Sequence, residues 1–352
     1  MIKLCVNFCV LSFLSFTLFA CGGNTTADQS SAGKNDSGSM ASQPDTSRRV
    51  DSLHRVSAIT DTSWSEAAKT LANEPSVKTS KKPNNNQKGV PPKSLATPPT
   101  MLNPFRPAEL LEGLKKAQAG NVKGAIVDFT AAIKKNPKNY NAYFYRAKAR
   151  VETGDDNGAL EDINLAIENK GDEAIYFYYR GKMHSDAGES GKALIDFNQA
   201  LSIRPNFTDA LNYRGVEKAK MGRHQEAIVD YDSAIISNLS YPICYYNKGT
   251  SQAALGDYKG AIETFSKALS LDSKHKLSYL NRGNCYIQLA NYKSAIADYT
   301  IVIQMDPKNS DAYYNRGAAY YLQGDKMMCA DWKMAAALGN AKAKSMLAKN
   351  CK

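Results

Sequence analysis

Aromatic residues are missing from long stretches of this chain of 352 residues, and all 20 tyrosines lie between residues 140 and 321. Residues 24–105 also contain few large aliphatic side chains and are rich in Ser, Thr, Asn, Lys, Pro and Gly. Such a segment cannot bury enough apolar surface to offset the entropy lost when its backbone is ordered. We therefore expect residues 21–105 to form a disordered polar linker.

Concentrated positive charge is absent as well, although the formal net charge is +11. The lysines are spread along the chain, and no block of five or six basic residues occurs. No motif typical of RNA- or DNA-binding proteins is present. We therefore expect no nucleic-acid partner.

Catalytic and metal-binding motifs are also missing. A phosphate-binding loop needs a glycine, four further residues and then Gly-Lys-Ser/Thr, whereas the stretch 186–193 begins with Asp and ends with Ala. The four histidines are far apart, and none has a metal-binding spacing to Cys or Asp. Acid pairs such as Glu161-Asp162 are expected on solvated turns or outer helix faces. We expect no enzyme activity, no metal, no cofactor and no small-molecule substrate.

The N-terminus carries one positive charge, at Lys3, followed by an apolar run over residues 4–20. The run is short for a membrane-spanning helix, which needs roughly 20 apolar residues, and it fits a secretory signal. The alternatives are an uncleaved anchor and a plain secretory signal that is cleaved after Ala20.

The junction at residues 18–21 resembles the lipobox of bacterial lipoproteins, and Leu18, Ala20 and Cys21 match its pattern. Phe19 is bulkier than the residue that the lipobox usually has at this position. The resemblance implies a signal peptide over residues 1–20 and a diacylglycerol on the Cys21 thiol. Membrane attachment through this N-terminal lipid would place the protein in the bacterial cell envelope, at the outer membrane or the periplasmic face of a membrane. Two or three acyl chains would make the attachment stable.

A short sequence motif recurs seven times with a period of 34 residues. Its first column is small: Gly113, Ala147, Gly181, Gly215, Gly249, Gly283 and Gly317. A second glycine column follows seven positions later, and an alanine column twelve positions later that ends in Cys329. An aromatic column comes next: Phe129, Ile163, Phe197, Tyr231, Phe265 and Tyr299, with Lys333 in the seventh unit. These columns resemble the tetratricopeptide repeat, and the match covers residues 106–343 in seven ungapped units.

The resemblance implies an all-α fold. We expect a right-handed α-solenoid of seven tetratricopeptide helix pairs plus a C-terminal cap helix, preceded by the disordered linker. The predicted units are 106–139, 140–173, 174–207, 208–241, 242–275, 276–309 and 310–343. Residues 344–352 are the end of the cap helix. The small columns let the two helices of a pair approach closely, and the aromatic column fills the gap towards the next unit.

Ligands of this family usually lie in the concave groove lined by the first helix of each pair. The groove candidates are the residues at tyrosine- and asparagine-rich positions: Phe144, Tyr178, Asn212, Tyr246, Asn247, Asn281, Tyr314 and Asn315. Asn amides pair with a peptide backbone, and Tyr offers apolar area with a polar tip. The alternative is that these side chains pack between adjacent helices.

The resemblance therefore implies a non-catalytic, membrane-tethered scaffold of the cell envelope that binds a protein or peptide partner. It would serve the assembly of an envelope, secretion or motility complex. The alternative function is the binding of cell-wall glycan or surface polysaccharide through the aromatic groove.

Four cysteines remain after the signal and Cys21. Cys329 and Cys351 lie on either side of Gly339, and an antiparallel turn there would bring the two thiols to nearly the same height. We expect a disulfide between them, and the alternative is two independent buried thiols. Cys244 and Cys285 are expected to remain free.

Overall fold

A computed structural model describes residues 108–351, which form 15 α-helices connected by short turns. The predicted signal peptide, the lipidated Cys21 and the predicted linker lie outside the described residues. Among the helices of residues 108–351, none combines the length and the hydropathy that a bilayer-spanning helix requires.

The helices follow one another in antiparallel pairs, as the all-α solenoid prediction requires. Their bounds are α1 Ala108–Gln118, α2 Val122–Lys135, α3 Tyr140–Thr153, α4 Asp156–Asn169, α5 Ala174–Asp186, α6 Ser190–Ile203, α7 Thr208–Lys220, α8 His224–Ser237, α9 Pro242–Ala254, α10 Tyr258–Leu271, α11 Lys276–Gln288, α12 Tyr292–Met305, α13 Ser310–Gln323, α14 Met328–Ala337 and α15 Ala341–Asn350. Odd-numbered helices from α1 to α13 are called A helices, and even-numbered ones B helices. Each predicted unit contains one A and one B helix, and α15 packs on α14.

Local sequence explains where these helices begin and end. The side chains of Asn121 and Asp155 accept hydrogen bonds from backbone N–H groups of the first turn in α2 and α4. Gly154 ends α3 with a φ of 81°, a left-handed conformation that costs glycine little. Ala290 adopts the same conformation, with a φ of 56°, at the equivalent turn after α11.

The core of six of the seven pairs is a buried ring on the B helix that lies against a glycine of the A helix. A Cβ placed on Gly249 would lie 2.9 Å from Cε1 of Phe265, and the same contact recurs in other units. Ala147 replaces the glycine where Ile163 replaces the ring. The two positions therefore share a fixed volume, and the chain varies them together.

The seventh unit departs from the predicted alignment. Trp332, not the exposed Lys333, is the ring that lies against Gly317, with Cδ1 2.7 Å from a Cβ built there. The ring follows its glycine by 15 residues instead of 16, so the unit is not ungapped in α14. Ala335 is accordingly buried, and Ala336 is only half-buried. The expectation of seven ungapped units was wrong at this helix.

Five units have an arginine one residue before the small column. In each of them this arginine pairs with an aspartate on the B helix of its own unit and also contacts the preceding unit. Arg282 Nε and Nη2 donate to Asp298 at 2.8 and 2.7 Å, and its Nη1 donates to Ser266 on the previous B helix at 2.9 Å. The equivalent pairs are Arg146–Asp162, Arg180–Asp196, Arg214–Asp230 and Arg316–Asp331. Asp162 is buried in such a pair, so its prediction as a solvated acid was wrong.

Unit 5 uses a different arrangement at the same place. Lys248 replaces the arginine, Thr264 replaces the aspartate, and Asp232 on the preceding B helix accepts from Lys248 Nζ at 2.6 Å. A lysine is a point charge without the planar fork of arginine, so it forms a single ion pair instead of a bidentate one. The carboxylate has moved to a position whose side chain is 46% exposed.

Replacing Gly249 with Ala should lower the free energy of unfolding by about 1–3 kcal/mol, because the added Cβ overlaps the ring of Phe265. Phe265→Ile should relieve this overlap, as the Ala147 and Ile163 pair does. Urea unfolding of the two single variants and the double variant would measure a favourable coupling of about 1 kcal/mol between the two changes. Simple additivity would show that ring and glycine are independent.

Candidate functional site

The A helices line the inner side of the curved array. Neighbouring A helices contact one another along the array, and no two B helices of residues 108–351 approach each other as closely as most neighbouring A helices do. Elements on the inner side of a curved stack are closer together than those on its outer side. We call the solvent-facing side of the A helices the inner face.

Four of the eight groove candidates are buried: Phe144, Tyr178, Asn212 and Asn247. The Phe144 ring lies 5.0 Å from that of Tyr179, and the Asn247 amide donates to Asn212 Oδ1 at 2.9 Å. For these four residues the structure therefore favours packing between adjacent helices over ligand contact. In an isolated helix pair the positions of Phe144 and Tyr178 would face solvent, but in the array aromatic side chains of the next unit cover them.

The other four candidates are half-buried on the inner face of α9, α11 and α13. Asn281 Nδ2 donates to the Tyr246 hydroxyl at 3.5 Å, and Asn315 Nδ2 donates to Asn284 Oδ1 at 3.3 Å. The backbone oxygen of Tyr314 accepts from the indole of Trp332 at 3.2 Å. Amides and phenols from three consecutive units therefore form one polar surface.

Asn284 belongs to this surface but was not among the sequence candidates. It is exposed on α11, and its Oδ1 accepts from the hydroxyl of Tyr299 at 2.7 Å. Tyr299 belongs to the aromatic column, is buried, and has a pKa raised well above its usual value by desolvation. The sequence signal was the tyrosine that replaces phenylalanine in that column.

Charged side chains populate the inner side of units 2 and 3. Lys182 Nζ lies 3.1 Å from Asp186 Oδ2 on α5. On α3, burial lowers the pKa of Lys148 to about 8, and the charge of Glu152 partly opposes this shift. The surface of α9, α11 and α13 is different in character, because its Tyr, Asn and Thr side chains are neutral.

The remaining cysteines follow their predicted pairing. Cys329 and Cys351 form a disulfide with an Sγ–Sγ distance of 2.07 Å, which joins α14 to the end of α15. Cys244 and Cys285 are free and buried. Burial raises the pKa of the Cys285 thiol to about 12, so this thiol is protonated and unreactive near neutral pH.

We expect His275 to make the stability of this region depend on pH. It is the N-cap residue of α11, and its Nδ1 accepts a hydrogen bond from the backbone N–H of Ser278 at 3.3 Å. Burial lowers the pKa of His275 below 6.5, and the charge of Asp272 partly opposes this shift. The neutral ring is therefore favoured in the fold, and its contribution is complete above pH 6.5 and is lost as the pH falls below it.

Acidification from about pH 7.5 to about pH 5 should therefore lower the thermal midpoint of the native chain more than that of a His275→Asn variant. Asparagine begins helices at the equivalent positions 139 and 309, so the variant keeps the cap and loses the titration. Thermal unfolding followed by circular dichroism at both pH values would measure the difference. Equal pH dependence would exclude His275 as its source.

Models of tetratricopeptide repeats match residues 110–174 and 242–275, and a model described as a TPR repeat matches residues 283–324. No curated protein is significantly similar to this chain in sequence.

Solved structures with the same fold include a tetratricopeptide repeat protein from Parabacteroides merdae, which is 22% identical. The match covers 68% of this chain and 96% of that one, with a TM-score of 0.52. The C-terminal part of a TPR repeat-containing protein from Cytophaga hutchinsonii is also 22% identical over 67% of this chain and 98% of that one, with a TM-score of 0.55. Pseudomonas aeruginosa pilF is 15% identical over 57% of this chain and 91% of that one, with a TM-score of 0.52. At these identities the likeness shows the fold alone.

Proposed function

Because the chain is a tetratricopeptide repeat protein, and therefore a protein–protein interaction scaffold, we propose that it binds an extended segment of a partner protein on the inner face of α9, α11 and α13. The observation that carries the proposal is the half-buried set of Tyr246, Asn281, Tyr314 and Asn315. Side-chain amides offer a donor and an acceptor to a peptide backbone, and tyrosine adds apolar area. A fold of this kind is typically non-catalytic.

The proposal is tested by selecting a displayed library of random peptides on the full chain in a non-ionic detergent. The peptides obtained should bind at least about tenfold more weakly to an Asn281→Ala/Asn315→Ala variant. Asn169→Ala is the matched control, because Asn169 is exposed on the B helix α4 and should not contact the ligand. Equal binding to all three proteins would contradict the proposed surface.

Two further variants separate protein recognition from glycan recognition. Tyr246→Phe and Tyr314→Phe keep the rings on which a sugar stacks but remove the hydroxyl groups. Loss of binding on this change supports hydrogen-bonded recognition of a protein segment. Retained binding of purified cell-wall glycan, with no peptide selected, would favour the alternative function.

We also propose that a lipid on Cys21 attaches the scaffold to a membrane of the bacterial cell envelope, where it serves the assembly of an envelope, secretion or motility complex. The support is the resemblance of residues 18–21 to a lipobox. Cells fed an alkyne fatty acid should label the native chain and not a Cys21→Ser variant. Labelling of both proteins, or of neither, would refute the lipid anchor.

A further inference from the structure

Every cationic side chain on the A helices of units 5–7 is paired with a carboxylate, although the whole chain has a net charge of +11. Each charged side chain on α9, α11 and α13 has a partner within residues 108–351. The ion pairs are Lys248–Asp232, Lys276–Asp306, Arg282–Asp298 and Arg316–Asp331, whereas Asp311 accepts a hydrogen bond from the neutral amide of Asn340. The surface between them presents neutral Tyr, Asn, Thr and Leu side chains. A charged ligand would lose part of its hydration there, an acidic one would find no unpaired cation, and a basic one could form an ion pair only with Asp311 in the first turn of α13.

The amide of Asn284 is held in one orientation on this neutral surface. Its Oδ1 accepts from Tyr299 Oη at 2.7 Å and from Asn315 Nδ2 at 3.3 Å. An oxygen that already accepts two hydrogen bonds has no lone pair left for a ligand. Its Nδ2 makes no hydrogen bond within the described residues. The exposed Asn284 therefore offers a donor to whatever lies on α11.

The amides of Asn281 and Asn315 offer the complementary group. Each uses Nδ2 to donate to a neighbouring unit, Asn281 to Tyr246 and Asn315 to Asn284. Their Oδ1 atoms remain as acceptors. A peptide backbone carries one donor and one acceptor per residue, so it matches a surface that alternates the two.

We propose that units 5–7 select an uncharged, extended partner segment, and that Tyr299 is a positioning residue that directs the Asn284 amide to a backbone carbonyl of that segment. This inference rests on the proposed function. Three A helices about 10 Å apart would cover roughly eight residues of extended chain.

A displayed library of random eight-residue peptides, selected on the full chain in a non-ionic detergent, tests the class of ligand. The enriched peptides should lack charged side chains, and their Kd should change less than about twofold between roughly 50 and 500 mM NaCl, because an uncharged ligand forms no ion pair that salt could screen. Enrichment of acidic or basic peptides whose Kd changes more than about tenfold over this range would overturn the neutral-segment inference.

The Tyr299→Phe variant tests the positioning role. Phenylalanine occupies the same column at positions 129, 197 and 265, so packing is kept and only the hydroxyl is lost. The Kd of a selected peptide should rise about fivefold, the effect of one neutral hydrogen bond. Tyr231→Phe is the matched control in unit 4 and should change the Kd less than about twofold.

A double-variant cycle separates positioning from a merely structural effect. Asn284→Ala should weaken binding, and Tyr299→Phe should add nothing in that background, because the hydroxyl acts through Asn284. An additional loss in that background, or no loss from Tyr299→Phe alone, would overturn the positioning role. If binding persists in the Asn281→Ala/Asn315→Ala variant, the proposed function itself fails, which is a distinct outcome.

Discussion

Replacing Arg282 with Met should lower the free energy of unfolding by about 3–5 kcal/mol, because it leaves a buried carboxylate without a cationic partner. Asp298 is 3% exposed, and its two oxygens accept from Arg282 alone among the ion pairs of residues 108–351. The guanidinium also joins α11 to Ser266 on the preceding unit. Urea unfolding and local hydrogen exchange in α11 and α12 would measure the loss. A change below about 1 kcal/mol would contradict this role of the ion pair.

Unit 5 supplies a rescue for that variant. The combined change Arg282→Lys/Asp298→Thr/Ser266→Asp reproduces in unit 6 the arrangement of Lys248, Thr264 and Asp232. We expect its stability to return to within about 1–2 kcal/mol of the native chain, because the carboxylate moves to a more exposed position where desolvation costs less. If the combined variant is no better than Arg282→Met, the two arrangements are not interchangeable between units.

Replacing Cys351 with Ser should release α15 and remove about 3 kcal/mol of stability from the C-terminal end of the array. The disulfide spans a sequence separation of 22 residues. Helix α15 has ten residues, which is shorter than the roughly 12–15 that an isolated helix needs in water. Its remaining anchors are Ala343, Met346 and Leu347, which pack against the cluster around Trp332.

Hydrogen exchange of residues 341–350 in the full chain would measure this release. Exchange should be faster in Cys351→Ser and in Cys329→Ser alike, and a reducing agent should reproduce the effect in the native chain. The same agent should leave both variants unchanged, which controls for effects on other cysteines. Unchanged exchange in the variants would show that packing alone holds α15.

The repeat predicted the fold because the residues in its columns have the side-chain sizes that close packing of two helices requires. A small residue in the A helix and a ring or Ile 16 residues later can only belong to two helices that face each other. The same rule failed in the seventh unit, where Cys329 occupies the predicted alanine column although the ring is Trp332, one residue before the predicted position. A deletion of one residue in a turn cannot be recognised from the sequence pattern when the residues on both sides remain small or apolar.

Exposure was the property that the repeat did not predict. Phe144 and Tyr178 stand at the same position of the repeat as Tyr246 and Tyr314, yet the first two are buried and the other two are half-buried. The difference comes from the neighbouring unit, whose aromatic side chains cover the first two. Asp162 was misjudged for a different reason, because its partner Arg146 lies on the other helix of the same unit, 16 residues away.

The sequence by itself therefore determined the period, the helix pairs and the cysteines that meet, because these depend on side-chain size and spacing within one unit. The tertiary structure alone decided which tyrosines and asparagines reach solvent, which charges are neutralised and which way the Asn284 amide points. Those properties depend on atoms from different helices, often of two or three units, and contacts between helices are set by packing in space instead of by spacing along the chain.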